Sequence, residues 1–152
     1  MIPFAKTSPV PPENCHLACA IEQIGDRWTM LILRSALFGV RRFDHFQAEL
    51  SIPRTILSGR LAALTRNGLL EKRPYKEDGK RSRPEYVLTD KAEALRPVMI
   101  ALMQWGDDWL ADGEAPPLRF TQATTRQPVH AAFVNADGAR VETGDMRVAL
   151  RR

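Results

Sequence analysis

Residues 51–68 read SIPRTILSGRLAALTRNG, and the rest of the chain is understood through them. Pro53 is tolerated in the first turn of a helix, where its missing N–H has no intrahelical partner to lose. Asn67 and Gly68 make a good left-handed stop. Between them a helix over residues 53–67 turns apolar at Ile56, Leu57, Leu61 and Leu64, yet it opens on Ser51, Arg54, Thr55 and Ser58. A helix that only filled a core would rarely begin with small hydroxyls and an arginine. One that pushes its first turn into a DNA major groove and packs with the remainder needs this composition, because the groove admits one α-helix and base edges are read by hydrogen-bonding side chains.

Upstream, residues 43–50 (FDHFQAEL) predict a short helix with Phe43, Phe46 and Leu50 apolar, joined to the first by a tight turn through Ser51, Ile52 and Pro53. Before it, Asp26 caps a helix whose Trp28, Leu31, Ile32, Ala36 and Leu37 form a stripe, ended by Gly39. An earlier helix carries Leu17, Ile21 and Ile24 at helical spacing and stops at Gly25. Downstream, LLEKRPY and PEYVL flank KEDGKRSR, which reads as a β-hairpin with a basic tip. Thr89 and Asp90 then cap a long helix running to about Ala111, with Leu95, Val98, Met99, Leu102, Trp105 and Trp109 on one broad face. Pro97 predicts a kink near residues 93–97.

The fold class expected is mainly α with small β: a winged helix-turn-helix domain over residues 14–112, with a long C-terminal helix. Residues 1–13, holding Pro3, Pro9, Pro11 and Pro12, read as an extended arm. Residues 118–152 read as a short β-rich extension, with LRFTQ, VHAAFV and ARVE as strands and a hairpin turn at residues 135–138.

The bulk numbers agree with this. At 152 residues, 44% hydrophobic and 26% charged, the chain is sized for one ordinary globular domain with an appendage. No apolar run approaches the roughly 20 residues that span a bilayer, and the N-terminus lacks the apolar core of a secretory signal. A cytoplasmic protein with no membrane partner is expected. The net charge of +4 is unevenly spread. Eleven Lys/Arg but only five Asp/Glu fall between Arg41 and Arg83, half of the chain's 22 basic residues in under a third of its length. That is the footprint of a nucleic-acid-binding surface, with a merely solvated basic face as its competitor.

The sequence resembles the HxlR-type winged-helix regulators, a group related to the MarR-like proteins. The resemblance is carried by Cys15, by IGDRWTMLILRSALFGVRRFDHFQ (24–47), by ILSGRLAALTRNGLLEKRPY (56–75), by RPEYVLTDKAEAL (83–95) and by LMQWGDDWL (102–110). It covers about residues 15–110, with several separate motifs in order. It implies a homodimeric transcriptional regulator that binds double-stranded DNA at pseudo-palindromic operators. The N-terminal segment and the long C-terminal helix would form the dimer interface. Leu102, Trp105 and Trp109 are its candidates, since large aromatics anchor interfaces; both tryptophans could instead cover the domain's own core.

Candidate DNA contacts follow residue by residue. Arg54, Thr55 and Ser58 are placed for base edges or adjacent phosphates, and Ser51 for capping the helix and touching a phosphate. Arg41 and Arg42 precede the helix-turn-helix and would grip the backbone, with an ion-pair role as the rival for Arg42. Arg60, a full turn deeper, has the same ambiguity. Lys76, Lys80, Arg81 and Arg83 would make wing contacts to phosphates or the minor groove, with a bond to the wing's own backbone as the rival for Arg83.

Two cysteines are too few for a disulfide framework. Cys15 lies thirteen residues before Trp28, where the resembled family usually has a cysteine, and some members use that thiol to sense oxidants or electrophiles. A helix N-terminus favours the thiolate, so Cys15 is a candidate redox sensor; the rival is an inert, partly buried thiol. Cys19 is expected in the core. Cys15, His16 and Cys19 supply at most three ligands, with His16 off the face of the two thiols, so no metal and no cofactor is expected. An enzyme using Cys15 as nucleophile is disfavoured, since neighbouring His16 diverges from it by about 100° on a helix. A small-molecule effector is compatible with the sequence. So is a winged-helix interaction module that does not read DNA.

Overall fold

The chain is described by a computed structural model that covers residues 10–76, 79 and 82–149. Residues 1–9 of the expected arm and the wing-tip candidates Lys80 and Arg81 lie outside the described residues. Residues 12 and 13, expected to be extended, form with Asn14 a single 3-10 turn closed by the Asn14 amide donating to the Pro11 carbonyl.

Four helices come first: α1 (His16–Ile24), α2 (Arg27–Leu37), α3 (Phe43–Leu50) and α4 (Arg54–Arg66). Asp26 is the N-cap of α2, its carboxylate accepting from the Trp28 and Thr29 amides at 3.1 Å each. Gly39, at φ 94°, allows the chain to leave α2 and enter α3 through backbone that an L residue resists. Ser51 ends α3 in the left-handed conformation at φ 49°, and Pro53 is the N-cap of α4 with no side-chain cap. The expected capping of α4 by Ser51 is therefore corrected: a residue committed to turning the chain out of one helix cannot also point its hydroxyl at the amides of the next. Buried Ile52, between Ser51 and Pro53, pins this turn into the core.

Leu57, Leu61 and Leu64 of α4 are fully buried and meet Ile32, Leu33 and Ala36 of α2 and Phe46 of α3 in one cluster. Each buried Leu, Ile or Phe side chain among them contributes roughly 1.5–3 kcal/mol relative to exposure. Ser35, also fully buried, satisfies its hydroxyl with its one proton shared between the Leu31 carbonyl and the Glu49 carboxylate, both at 3.0 Å. Glu49 in turn holds Arg34 at 3.2 Å, so α3 is tied to α2 by polar bonds as well as packing.

The strands β1 (Leu70–Tyr75) and β2 (Arg83–Leu88) pair antiparallel with Leu70 opposite Leu88 and Tyr75 opposite Arg83. Residues 41 and 42 lie alongside β2: the Tyr86 amide donates to the Arg41 carbonyl at 2.7 Å, and the backbones of Arg42 and Glu85 pair as an isolated antiparallel bridge. The wing is thus fastened to the start of α3. Thr89 then caps α5 (Asp90–Glu93), accepting from the Ala92 amide while its hydroxyl donates to the Gly68 carbonyl at 2.7 Å.

The long helix is interrupted where a kink was expected. Residues 94 and 95 leave the helix, the Leu95 amide bonds three residues back to Ala92, and α6 (Arg96–Leu110) starts afresh. Pro97 has no N–H for the Glu93 carbonyl, so a continuous ladder would have left that oxygen without its partner. Starting a new helix puts Pro97 in a first turn, where the loss costs nothing.

Two compact units result, Cys15–Arg96 and a second containing Pro97–Arg152 with the residues before Cys15. Beyond α6, Thr121 bridges to Pro128, and β3 (Phe133–Val134) pairs with β4 (Arg140–Val141) across a turn at Gly138, φ 79°. The expected strand LRFTQ is reduced to that single bridge. No described helix is long and apolar enough to cross a membrane.

Candidate nucleic-acid interface

The first turn and a half of α4 is exposed except for Leu57, which points into the core. Arg54, Thr55 and Ser58 therefore stand on the surface, as expected from their side chains. Ile56 joins them at 41% exposure. The sequence grouped it with the apolar run, but Leu57, Leu61 and Leu64 keep an i, i+4, i+7 stripe from which residue 56 is one position displaced. That displacement was the available signal.

Arg54 does not hang freely. Its guanidinium carbon lies 5.1 Å from the centroid of the Phe43 ring. Arg42, the neighbour of Phe43, places its own guanidinium carbon 4.3 Å from the Tyr75 ring at the end of β1. Consecutive residues at the start of α3 thus engage two different elements, Phe43 the start of α4 and Arg42 the wing. Neither contact was legible in the sequence, because nothing local connects residue 43 with 54 or 42 with 75.

Around the wing root, Lys76 follows Tyr75 and is exposed, as is Arg83 across the ladder from Tyr75. Arg41 is exposed, and its carbonyl is bound to β2. Arg60 is turned elsewhere: its Nε lies 3.2 Å from Asp26, joining α4 to the cap of α2. Burial raises the Asp26 carboxyl pKa, but hydrogen bonds from the Thr29 side chain and amide, the Arg60 charge and the Trp28 amide outweigh it and leave the net value below normal. Arg73, on β1, pairs with Glu71. The basic surface therefore narrows to Arg41, Arg42, Arg54, Lys76 and Arg83 among the described candidates, with Ser51 exposed at the turn.

Cys15 is the N-cap of α1, half-buried, with no side-chain capping bond, and both thiols are free. Cys19 is exposed, against the expected core position, because α1 buries no residue completely. His16 and Cys19, three apart, border one hollow of about 300 Å³ with Gln23 and Lys91; His16 thus shares a face with Cys19 rather than diverging from both thiols. No cluster of three metal-ligating side chains occurs among the described residues.

Large apolar side chains remain uncovered: Leu17 and Ile21 on α1 are 67% and 56% exposed, Trp105 and Trp109 on α6 54% and 74%, and Leu102 is also exposed. The tryptophans are thus not sealed in a core of their own chain.

Comparison with known proteins gives these features a context. The sequence pattern of the HxlR-like helix-turn-helix family matches residues 23–114. The uncharacterized HTH-type transcriptional regulator Rv3095 of Mycobacterium tuberculosis is 46% identical over 105 residues, 69% of this chain and 65% of that protein. The chain thus spans about two thirds, 65%, of the length of this relative. The crystal structure of PA1607, described as a candidate transcription factor, superposes with TM-score 0.76 at 35% identity, covering 89% of this chain and 94% of that one. The reduced transcriptional regulator YodB of Bacillus subtilis superposes with TM-score 0.55 at 27% identity, over 66% of this chain and 98% of its own; it has also been crystallised after diamide treatment.

Proposed function

The chain belongs to the HxlR-like helix-turn-helix family, whose relatives are named as transcriptional regulators, and from that premise we propose that it regulates transcription as a homodimer bound to pseudo-palindromic DNA. The observation that carries this reading is the exposed start of α4, with Arg54 stacked on Phe43 beside a wing root bearing Arg42, Lys76 and Arg83. Arg54 reads a guanine edge or its adjacent phosphate, Thr55 and Ser58 supply hydroxyls, and Ile56 offers a methyl surface suited to thymine. Arg41, Arg42, Lys76 and Arg83 neutralise phosphates, joined by Lys80 and Arg81 at the wing tip. Ser51 lies where a hydroxyl meets the backbone, and Arg60 steadies α4 through Asp26.

The uncovered faces of α1 and α6 supply the dimer contact, with Leu102, Trp105 and Trp109 at its centre. Two-fold symmetry then sets half-sites about one or two helical turns apart. The protein acts in the cytoplasm. The test is selection of genomic fragments by the purified protein, followed by footprinting. Two protected half-sites are expected at that spacing, and indifference to every duplex at low ionic strength overturns the reading.

A second reading concerns control of that binding. Cys15 sits half-buried at the N-cap of α1 as a free thiol, and the similar protein YodB has been crystallised after diamide treatment. Oxidation of Cys15 next to the dimer contact would alter half-site spacing and release DNA. Diamide should weaken operator binding by the wild type and leave Cys15→Ser unaffected; equal responses exclude Cys15 as the sensor.

A further inference from the structure

Gln104 of α6 ties the segment after that helix to it by two hydrogen bonds. Gln104 donates from Nε2 to the Val129 carbonyl at 2.9 Å and accepts at Oε1 from the Ala131 amide at 2.8 Å. Its amide thus takes the place that a neighbouring strand's peptide group would occupy. The Val129 amide donates to the Phe120 carbonyl at 2.8 Å, closing residues 120–129 into a loop. Between α6 and this loop lies a groove of about 780 Å³, within the roughly 300–1,000 Å³ of small-molecule sites.

The groove has two kinds of wall. Trp105 and Trp109 from α6 face it together with Leu118 and Phe120 from the extension. Arg119 and Arg126 also line it, and neither makes an ion pair with a described residue, whereas Arg140 is held by Glu142 at 3.1 Å. Asp107 and Asp108 line it from the helix. With Asp107 and Asp108 offsetting part of the positive charge, the lining suits a single negative charge at Arg119 and Arg126 better than a polyanion. The aromatic walls favour a flat apolar body, and guanidinium groups match a carboxylate in geometry and charge.

We propose that this groove binds a planar aromatic monocarboxylate, its ring against the two indoles and Phe120 and its carboxylate on Arg119 and Arg126. The helix periodicity explains how such a ligand reaches the regulator's function. Val98, Leu102 and Trp109 form one stripe of α6, Ala101, Gln104 and Asp108 the adjacent stripe, and Trp105 lies on the seam between them. A ring stacked on the indoles therefore touches two of the residues assigned to dimer contact, so ligand and partner copy act on the same side chains. This consequence rests on the function proposed above; the binding itself does not.

Calorimetry on the full chain with three probes tests it: 2-naphthylacetate, 2-(2-naphthyl)ethanol and 2-(2-naphthyl)ethylammonium. The carboxylate should bind about tenfold more tightly than the alcohol or more, and the ammonium should be weaker than the carboxylate. The double variant Arg119→Ala/Arg126→Ala should lose the margin over the alcohol while binding DNA as the wild type does. The chain has three tryptophans, so NMR of the indole N–H groups locates the probe: Trp105 and Trp109 should shift and Trp28 should not. No binding at millimolar probe, equal affinity for the three probes, an unaffected double variant or a response confined to Trp28 each overturns the proposal. None of the results that overturn the proposal involves DNA, so they are distinguishable from failure of the operator experiment.

Discussion

Arg54 has no acidic partner among the described residues, and its guanidinium lies 5.1 Å over Phe43. An exposed stack of this kind is worth only about 0.5–1 kcal/mol, too little to hold the fold but enough to restrict a long side chain ahead of the DNA contact proposed for it. Arg54→Ala should lower affinity for the operator by about 1–3 kcal/mol if a base is read, with binding to unrelated duplex little changed in a fluorescence anisotropy titration. Phe43→Leu should move in the same direction by less, with the fold checked by circular dichroism. At Asp26 the net folded-state pKa is below the ordinary value, so its contribution to stability is present above the unfolded value and lost as pH falls through the folded one. Asp26→Ala should cost about 1 kcal/mol in urea unfolding at neutral pH, and the gap from wild type should close below about pH 4. Local chemistry made the cap legible at Asp26. The stack on Phe43 was not legible, because it exists only once α3 and α4 have packed.

At the scale of elements, the wing is fastened to α3 through the Arg41 carbonyl and the Arg42 stack on Tyr75. Among its described residues Lys76 and Arg83 are exposed and make no ion pair, whereas Arg73 pairs with Glu71. Lys76→Ala and Arg83→Ala should each weaken binding to all duplexes alike and reduce the slope of log affinity against log salt by about one. An unchanged slope would remove these residues from the contact surface. The helices were readable from period and caps, and α3 falls on the expected residues 43–50. The break at residues 94 and 95 was misjudged as a bend, since sequence announces that proline disturbs a helix but not whether the chain bends or begins again. Ser51 was misassigned for a related reason: a serine before a helix suggests a cap, and only the backbone reveals that it is occupied in closing the previous one.

At the scale of the molecule, the apolar side chains that the sequence laid out as helix faces at Leu17, Ile21, Leu102, Trp105 and Trp109 stay exposed in the single chain. Period alone does not say whether such a face meets its own chain or another copy. A charge on this surface discriminates: Leu102→Glu should shift sedimentation from dimer to monomer at micromolar concentration and reduce operator binding, with unfolding temperature measured alongside. A wild type that sediments as a monomer under conditions of tight operator binding would remove α6 from the assembly. The extension after Leu110 was the least readable part. Its strands are two residues long, and its attachment runs through Gln104, a lone amide on a helix that no motif distinguishes.

The dipeptide Arg42-Phe43 bears on any attempt to retarget this regulator. Grafting residues 54–66 alone onto another scaffold would transfer the letters of the code without the aromatic rest that aims the first of them. A transplant spanning residues 42–66 would carry Phe43 and Arg54 together, and a tyrosine at the recipient's wing root would complete the second contact. If α4 reads DNA as proposed, specificity is a property of a module about twice the length of that helix.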